Sequence, residues 1–236
     1  MGGRIEQGFR RRFRDLLFLV RPRRLDFGVD LLVGRARELS RRRGIPVAYA
    51  LAQVYEFTRV RVERRLRITG SCSVVHPSWD RFTTTVPRFH SDLSLAGLAR
   101  WLRAAGYEAS WSSTAAADFL GSEPSRERVL LTSDGDVLER RVAQDEGRTV
   151  LWVPSALTPR EQLPMVLRDL GLAPREPRCM ACGGELDPVA KEAVALRIPP
   201  RTALWLDDYT LCRACGHLYW RGTHWNRISK VLAAIA

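Results

Sequence analysis

From Pro87 onwards the spacing of apolar residues switches repeatedly between two periods, and each switch marks a new element. "RFHSD" reads as a short strand ending in Asp92. "LSLAGLARWLRAAG" then places Leu95, Leu98, Ala99, Leu102 and Ala105 at helical spacing, with Gly106 as the stop. "YEASWSS" predicts a second strand, and "TAAADFLGSEPSRE" a short helix broken at Pro124. "RVLLTSD" is almost entirely apolar up to its threonine, as expected of a strand covered on both faces of a parallel sheet. "GDVLERRVAQDEG" predicts a helix closed by Gly147, and "RTVLWVP" a fourth strand. "TPREQLPMVLRDLG" predicts a fourth helix, with Thr158 as N-cap and Pro159 in its first position. Four strand-helix pairs in succession imply an α/β fold on an open parallel sheet with flanking helices.

Residues 1–86 follow a less regular pattern. "GFRRRFRDLLFLVRPRR" predicts a basic amphipathic helix. "ARELSRRRGIPVAYALAQVYEF" predicts a helix, a Gly-Ile-Pro break and a second helix or strand. "RVRVERRLRIT" alternates arginine with apolar residues, as a half-exposed strand does. The fold of this segment stays open, partial disorder included.

Charge separates the same two regions. Twenty arginines against eight acidic residues lie within residues 1–88, which accounts for the whole net charge of +12. A basic segment favours polyanions, because each neutralised phosphate releases counterions. Yet Lys191 and Lys230 are the only lysines, so arginine is the default base throughout and a compositional bias explains the excess equally well. With 45% apolar and 27% charged residues, 236 residues suffice for one or two domains with a real core. No apolar run approaches the ~20 residues that span a bilayer. The early run at residues 16–20 is shorter than a signal-peptide core of ~7–15 residues. A cytoplasmic location without membrane attachment is the expectation, and there paired cysteines point to metal or redox chemistry rather than to disulfides.

Four of the five cysteines form two Cys-x-x-Cys pairs, Cys179 with Cys182 and Cys212 with Cys215. Two such turns facing each other supply four thiolates for tetrahedral zinc, and Gly183, Gly184 and Gly216 suit the sharp turns. A redox pair would open a helix after a strand, whereas these pairs precede turn-like or strand-like residues. Cys72 stands alone and reads as a small core or surface residue. His217 and His224 are not needed as ligands beside four cysteines. "YWRGTH" offers aromatics that could stack on bases, but Tyr219 and Trp220 read better as the cover of a very small core.

Acidic residues mark the other end of the chemistry. In an open parallel sheet, ligands bind beyond the carboxyl ends of the strands. Asp92 ends the first predicted strand, and Asp134 follows the third, with Asp136 beyond it. If these strands are neighbours, the carboxylates converge and a hard cation such as magnesium or manganese would offset their repulsion. Asp118, early in the helix after the second strand, would add a ligand. The competing reading makes each aspartate a helix N-cap.

"RFHSDLSLAGLARWLRAAGYE", "RVLLTSDGDVL", "RCMACGGEL" and "YTLCRACGHLYWRGTHW", in that order, resemble the PIN-like ribonuclease family named for the C-terminal RNase domain of the exonuclease Mut-seven. The resemblance covers about residues 87–230 and implies a PIN-like nuclease domain over 87–174 followed by a zinc ribbon over 175–236. It implies a metal-dependent ribonuclease of the kind usual in bacteria and archaea, with RNA as substrate. Asp92 matches the family's first-strand acid, and Thr132 and Asp134 match its "LTxD" strand. Asp118 matches the acid before the second helix, and the four cysteines match the ribbon. Magnesium or manganese would sit on Asp92 and Asp134, and zinc on Cys179, Cys182, Cys212 and Cys215. Where relatives carry a further basic residue after "LTxD", this chain has Gly135 and Asp136. Many bacterial relatives have a ubiquitin-like domain first; residues 1–86 would be a degenerate version of it, if they are one at all. The alternative function is a non-catalytic RNA-binding or protein-interaction module on the same fold, with the ribbon docking a protein partner.

Overall fold

The computed structural model describes residues 2–68, 85–121, 127–137 and 149–235. The predicted helix over 135–147 falls mostly outside these residues, as does Cys72. The strands β1 (Arg88–Asp92), β2 (Ala109–Ser112), β3 (Arg128–Thr132) and β4 (Thr149–Trp152) form one sheet in the order β2-β1-β3-β4. Every pairing is parallel, with Phe89 opposite both Ala109 and Val129, and Val129 opposite Thr149. The α/β expectation therefore holds, and the first and third strands are neighbours.

The apolar character of β3 is explained by its central place: Val129, Leu130 and Leu131 are fully buried. Alternate residues serve opposite faces. On one face Phe89, Val129 and Leu131 pack with Leu98, Ala99 and Leu102 of α4 (Ala96–Ala104) and Leu163, Val166 and Leu167 of α6 (Pro159–Asp169). Helix α6 starts as its sequence predicts: the Glu161 carboxylate accepts the Thr158 amide and hydroxyl, both at 2.8 Å. On the other face Leu130 meets Ala115 and Phe119 of α5 (Ala115–Gly121).

Residues 2–68 are built on three helices, α1 (Gly2–Phe18), α2 (Leu25–Arg43) and α3 (Val47–Ile68), joined by short turns. The strand expected from "RVRVERRLRIT" is instead the second half of α3. Its alternation of arginine and valine is only a local coincidence within a longer helical pattern, in which Leu51, Tyr55, Thr58 and Val62 recur at three- and four-residue intervals and are buried. A β-grasp origin finds no strand among the described residues 2–68. The three helices share a core of Phe9, Phe13, Val33, Leu51 and Tyr55, and Trp152 from β4 belongs to it. Gly8 is what lets α1 come so close: a Cβ there would lie 2.3 Å from the Trp152 ring. Arg12 donates to the Trp152 carbonyl at 3.0 Å and pairs with Asp169 of α6.

After α6 the chain forms a second, antiparallel sheet of β5 (Leu186–Val189), β6 (Tyr209–Cys212) and β7 (Leu218–Trp220). Val194, Ile198, Tyr209 and Leu218 make its small core, and Trp220 packs against them. The last helix, Thr223–Ala233, returns to the main domain, where Ile228 and Leu232 join the core beneath α4 and α6.

Candidate active site and metal centre

The cysteines meet although 29 residues separate the two pairs in sequence. Cys179 and Cys182 flank a turn, Cys212 ends β6, and Cys215 lies in the turn that follows. All four sulfurs lie within 4.8 Å of one another. The Cys179–Cys215 and Cys182–Cys212 separations are 3.6 and 3.5 Å. Zinc–sulfur bonds of ~2.3 Å in a tetrahedron place sulfurs ~3.8 Å apart, so this donor set fits zinc. Gly184 is required by the crowding, since a Cβ there would lie 2.9 Å from the Cys212 sulfur.

The electrostatics also suit a cation. Burial opposes ionisation of Cys179, but hydrogen bonds from the Tyr219 hydroxyl and from Cys182 and Cys215 outweigh it and bring the thiol down to about 6. A backbone hydrogen bond at His217 favours the Cys215 thiolate, yet its thiol neighbours and burial push it up to about 12. Four thiolates cannot all ionise so close together without a positive partner. Among the described residues neither histidine nor acid joins the cluster. Tyr219 reaches the Cys179 sulfur at 3.2 Å and accepts the Ala181 amide at 3.3 Å, so it braces the knuckle rather than offering itself to a base.

Arg103 ties the knuckle to the domain of the parallel sheet. Only 6% exposed, it donates to the carbonyls of Ala109, Met180 and Ala181 at 2.8, 3.1 and 2.7 Å. Its guanidinium also stacks 4.6 Å from the Trp111 ring centroid. Burial pulls its pKa down, with the nearby cysteines acting against that pull.

At the carboxyl edge of the first sheet, β1 and β3 bring Asp92, Thr132 and Asp134 together through hydrogen bonds. Asp92 occupies the N-cap position of the short helix Leu93–Leu95 but makes no capping hydrogen bond. Its Oδ2 instead accepts the buried Thr132 hydroxyl at 2.7 Å and the Ser133 amide at 2.8 Å, across the strand seam. Thr132 Oγ1 in turn accepts the Asp134 amide at 3.0 Å. Asp134 is exposed, and its Oδ1 accepts the Asp136 amide at 3.0 Å. Asp118 lies apart from this chain of bonds, in the first turn of α5, where its Oδ2 accepts Thr114 Oγ1 at 2.9 Å and Ser112 Oγ at 3.1 Å.

The structure adds His90, which the sequence did not single out. It sits two residues before Asp92, on the same strand face, with Nδ1 2.7 Å from Ser110 Oγ and Nε2 3.9 Å from Asp118 Oδ2. Burial lowers the His90 pKa, while the charge of Asp118 works the other way. The signal that would have found this group is strand register: His90 pairs with Ser110, and Asp92 with Ser112.

Searches among curated proteins and among solved structures give no match. A family comparison does: the model described as the Mut7-C RNAse domain matches residues 87–232, from before β1 to the last helix and including all four cysteines. Since the match spans more than half of the chain, the protein belongs to the Mut7-C RNase domain family.

Proposed function

We propose that this protein is a metal-dependent ribonuclease that hydrolyses RNA phosphodiester bonds at the carboxyl edge of the parallel sheet. The observation that carries this reading is the Asp92 carboxylate. An aspartate kept as a helix cap would bond to its own helix; this one reaches across to β3 instead. Held from one side by Thr132 and Ser133, it is fixed in direction, and among the described residues its Oδ1 takes no hydrogen bond.

Asp92 and Asp134 would hold magnesium or manganese, and their all-oxygen donor set suits such hard ions. When bound, the ion supplies a Lewis acid for the phosphate and a more acidic water. Thr132 orients Asp92 and fixes the Asp134 backbone in the same act. Asp118, kept in place by Ser112 and Thr114, lies beside His90 as a further acceptor for a proton or a water. In this reading residues 87–174 form the nuclease unit. The ribbon over 175–236 carries structural zinc and braces that unit through Arg103.

One observation favours a non-catalytic RNA-binding module instead. At Gly135–Asp136, where the family resemblance implies a basic residue, the Asp136 amide occupies one oxygen of Asp134. Incubating the full chain with single-stranded RNA in manganese, and again with a chelator that leaves zinc in place, separates the readings. The ribonuclease cuts only in manganese; the binding module cuts in neither condition.

A further inference from the structure

An open groove of about 950 Å³ runs between α2 and α3 of the N-terminal helices. Arg35, Arg61, Arg64 and Arg65 line it together with apolar residues and a threonine, and no carboxylate takes part in the lining. Phe57, Arg61, Arg64 and Ile68 recur at four-, three- and four-residue intervals along α3 and so share one face. Arg35 faces them from α2. Phe57 is 61% exposed and lies 5.6 Å from the Arg61 guanidinium.

Several other arginines of the bundle are neutralised by neighbours. Arg10 pairs with Asp30, Arg14 with Asp26, Arg37 with Glu6, and Arg59 with Glu56. Arg41 and Arg42 share Glu38. Arg35, Arg61 and Arg64 have no ion pair among the described residues. Arg35, Arg61 and Arg64 therefore face one concave, partly aromatic place whose lining holds no carboxylate to compensate them.

We propose that this groove binds single-stranded RNA, with the guanidiniums on successive phosphates and Phe57 stacked on a base. Basic grooves with an exposed aromatic track single strands in this way. A duplex keeps its bases stacked inside and gives Phe57 nothing to face. A bilayer presents a flat anionic surface, which does not enter a groove. The choice of RNA among polyanions rests on the ribonuclease reading above. The lining residues of the groove lie outside the residues 87–232 that match the family and include none of the acidic edge.

The test is fluorescence anisotropy of the full chain with a labelled oligouridine of about 12 nucleotides, within the span such grooves cover. The buffer contains no added magnesium or manganese, and salt is varied. Arg61→Gln/Arg64→Gln should weaken binding at least about tenfold and reduce the salt slope by about 1.4, the share of two phosphates on a single strand. Phe57→Ala should weaken it about tenfold without changing the slope. Both variants should melt with the parent, because the altered side chains are exposed. Unchanged affinity and slope in these variants overturn the proposal. So does binding to phosphatidylserine vesicles, but not RNA, that the same substitutions abolish. Cleavage in manganese is scored separately. A parent that binds RNA through the groove but cuts none removes the ribonuclease reading and leaves the groove standing. A parent that cuts RNA while the variants bind it as tightly removes the groove.

Discussion

The cysteine cluster and the acidic sheet edge are built in opposite ways. The cysteines contribute four soft sulfurs from two turns, brought within 4.8 Å and packed so tightly that Gly184 has no room for a methyl group. Such a set leaves no open coordination position and serves the fold. The acidic edge offers hard oxygens with Asp134 exposed, and Asp92 is held at one oxygen only. Such a set stays open to solvent. The difference teaches where each kind of damage should appear: breaking the closed set costs stability, whereas altering the open set costs chemistry with the fold intact.

The contrast breaks most visibly at Cys182→Ser. One zinc per chain should be lost, and with it a large share of the roughly 10–16 kcal/mol that such binding contributes at neutral pH. Metal analysis together with thermal melting checks this; a zinc-free parent that melts normally would refute the closed-site reading. Arg103→Gln should come next, at about 3 kcal/mol, because it leaves the buried Ala109 carbonyl and the part-buried Met180 and Ala181 carbonyls without a donor. Denaturant titration should show this loss while zinc stays bound.

Thr132→Val tests the open side. The side chain keeps its shape but loses the hydroxyl that aims Asp92, so kcat/KM should fall about tenfold, equivalent to ~1.4 kcal/mol. Zinc content should not change. The smallest effect concerns pH. Burial lowers His90 below its unfolded value, so the unfolded chain binds more protons in the window between the two values. Stability should therefore decline as pH falls through that window. Melting of the parent against His90→Gln at pH 7.5 and below about pH 6 isolates this part, and equal pH profiles would remove it.

Much of the contrast was legible in the sequence. Cysteine spacing names a tetrahedral site without help from the fold, because each pair needs only its own turn. The strand-helix alternation placed Asp92 and Asp134 at one sheet edge, and Thr158 with Pro159 marked a helix start that Glu161 completes. What escaped depends on partners remote in sequence. His90 matters through Ser110 and Asp118, which only strand register brings near. Arg103 looked like one arginine among many until Met180 and Ala181 came within reach. The strand expected after Thr58 failed because alternation over a few residues is a weak signal beside a helical period sustained over α3.

The most direct measurement compares manganese-dependent cleavage of single-stranded RNA by the parent chain and by Asp92→Asn. The asparagine keeps the shape and an oxygen for Thr132 and Ser133 but removes the charge a cation needs. The rate should fall roughly a thousandfold, matching the several kcal/mol a Lewis acid supplies. Zinc content should be unchanged and the melting temperature should stay close to that of the parent. An Asp92→Asn chain that cuts RNA as fast as the parent, or a parent that cuts equally well when manganese is withheld, would contradict a metal-dependent ribonuclease centred on this carboxylate.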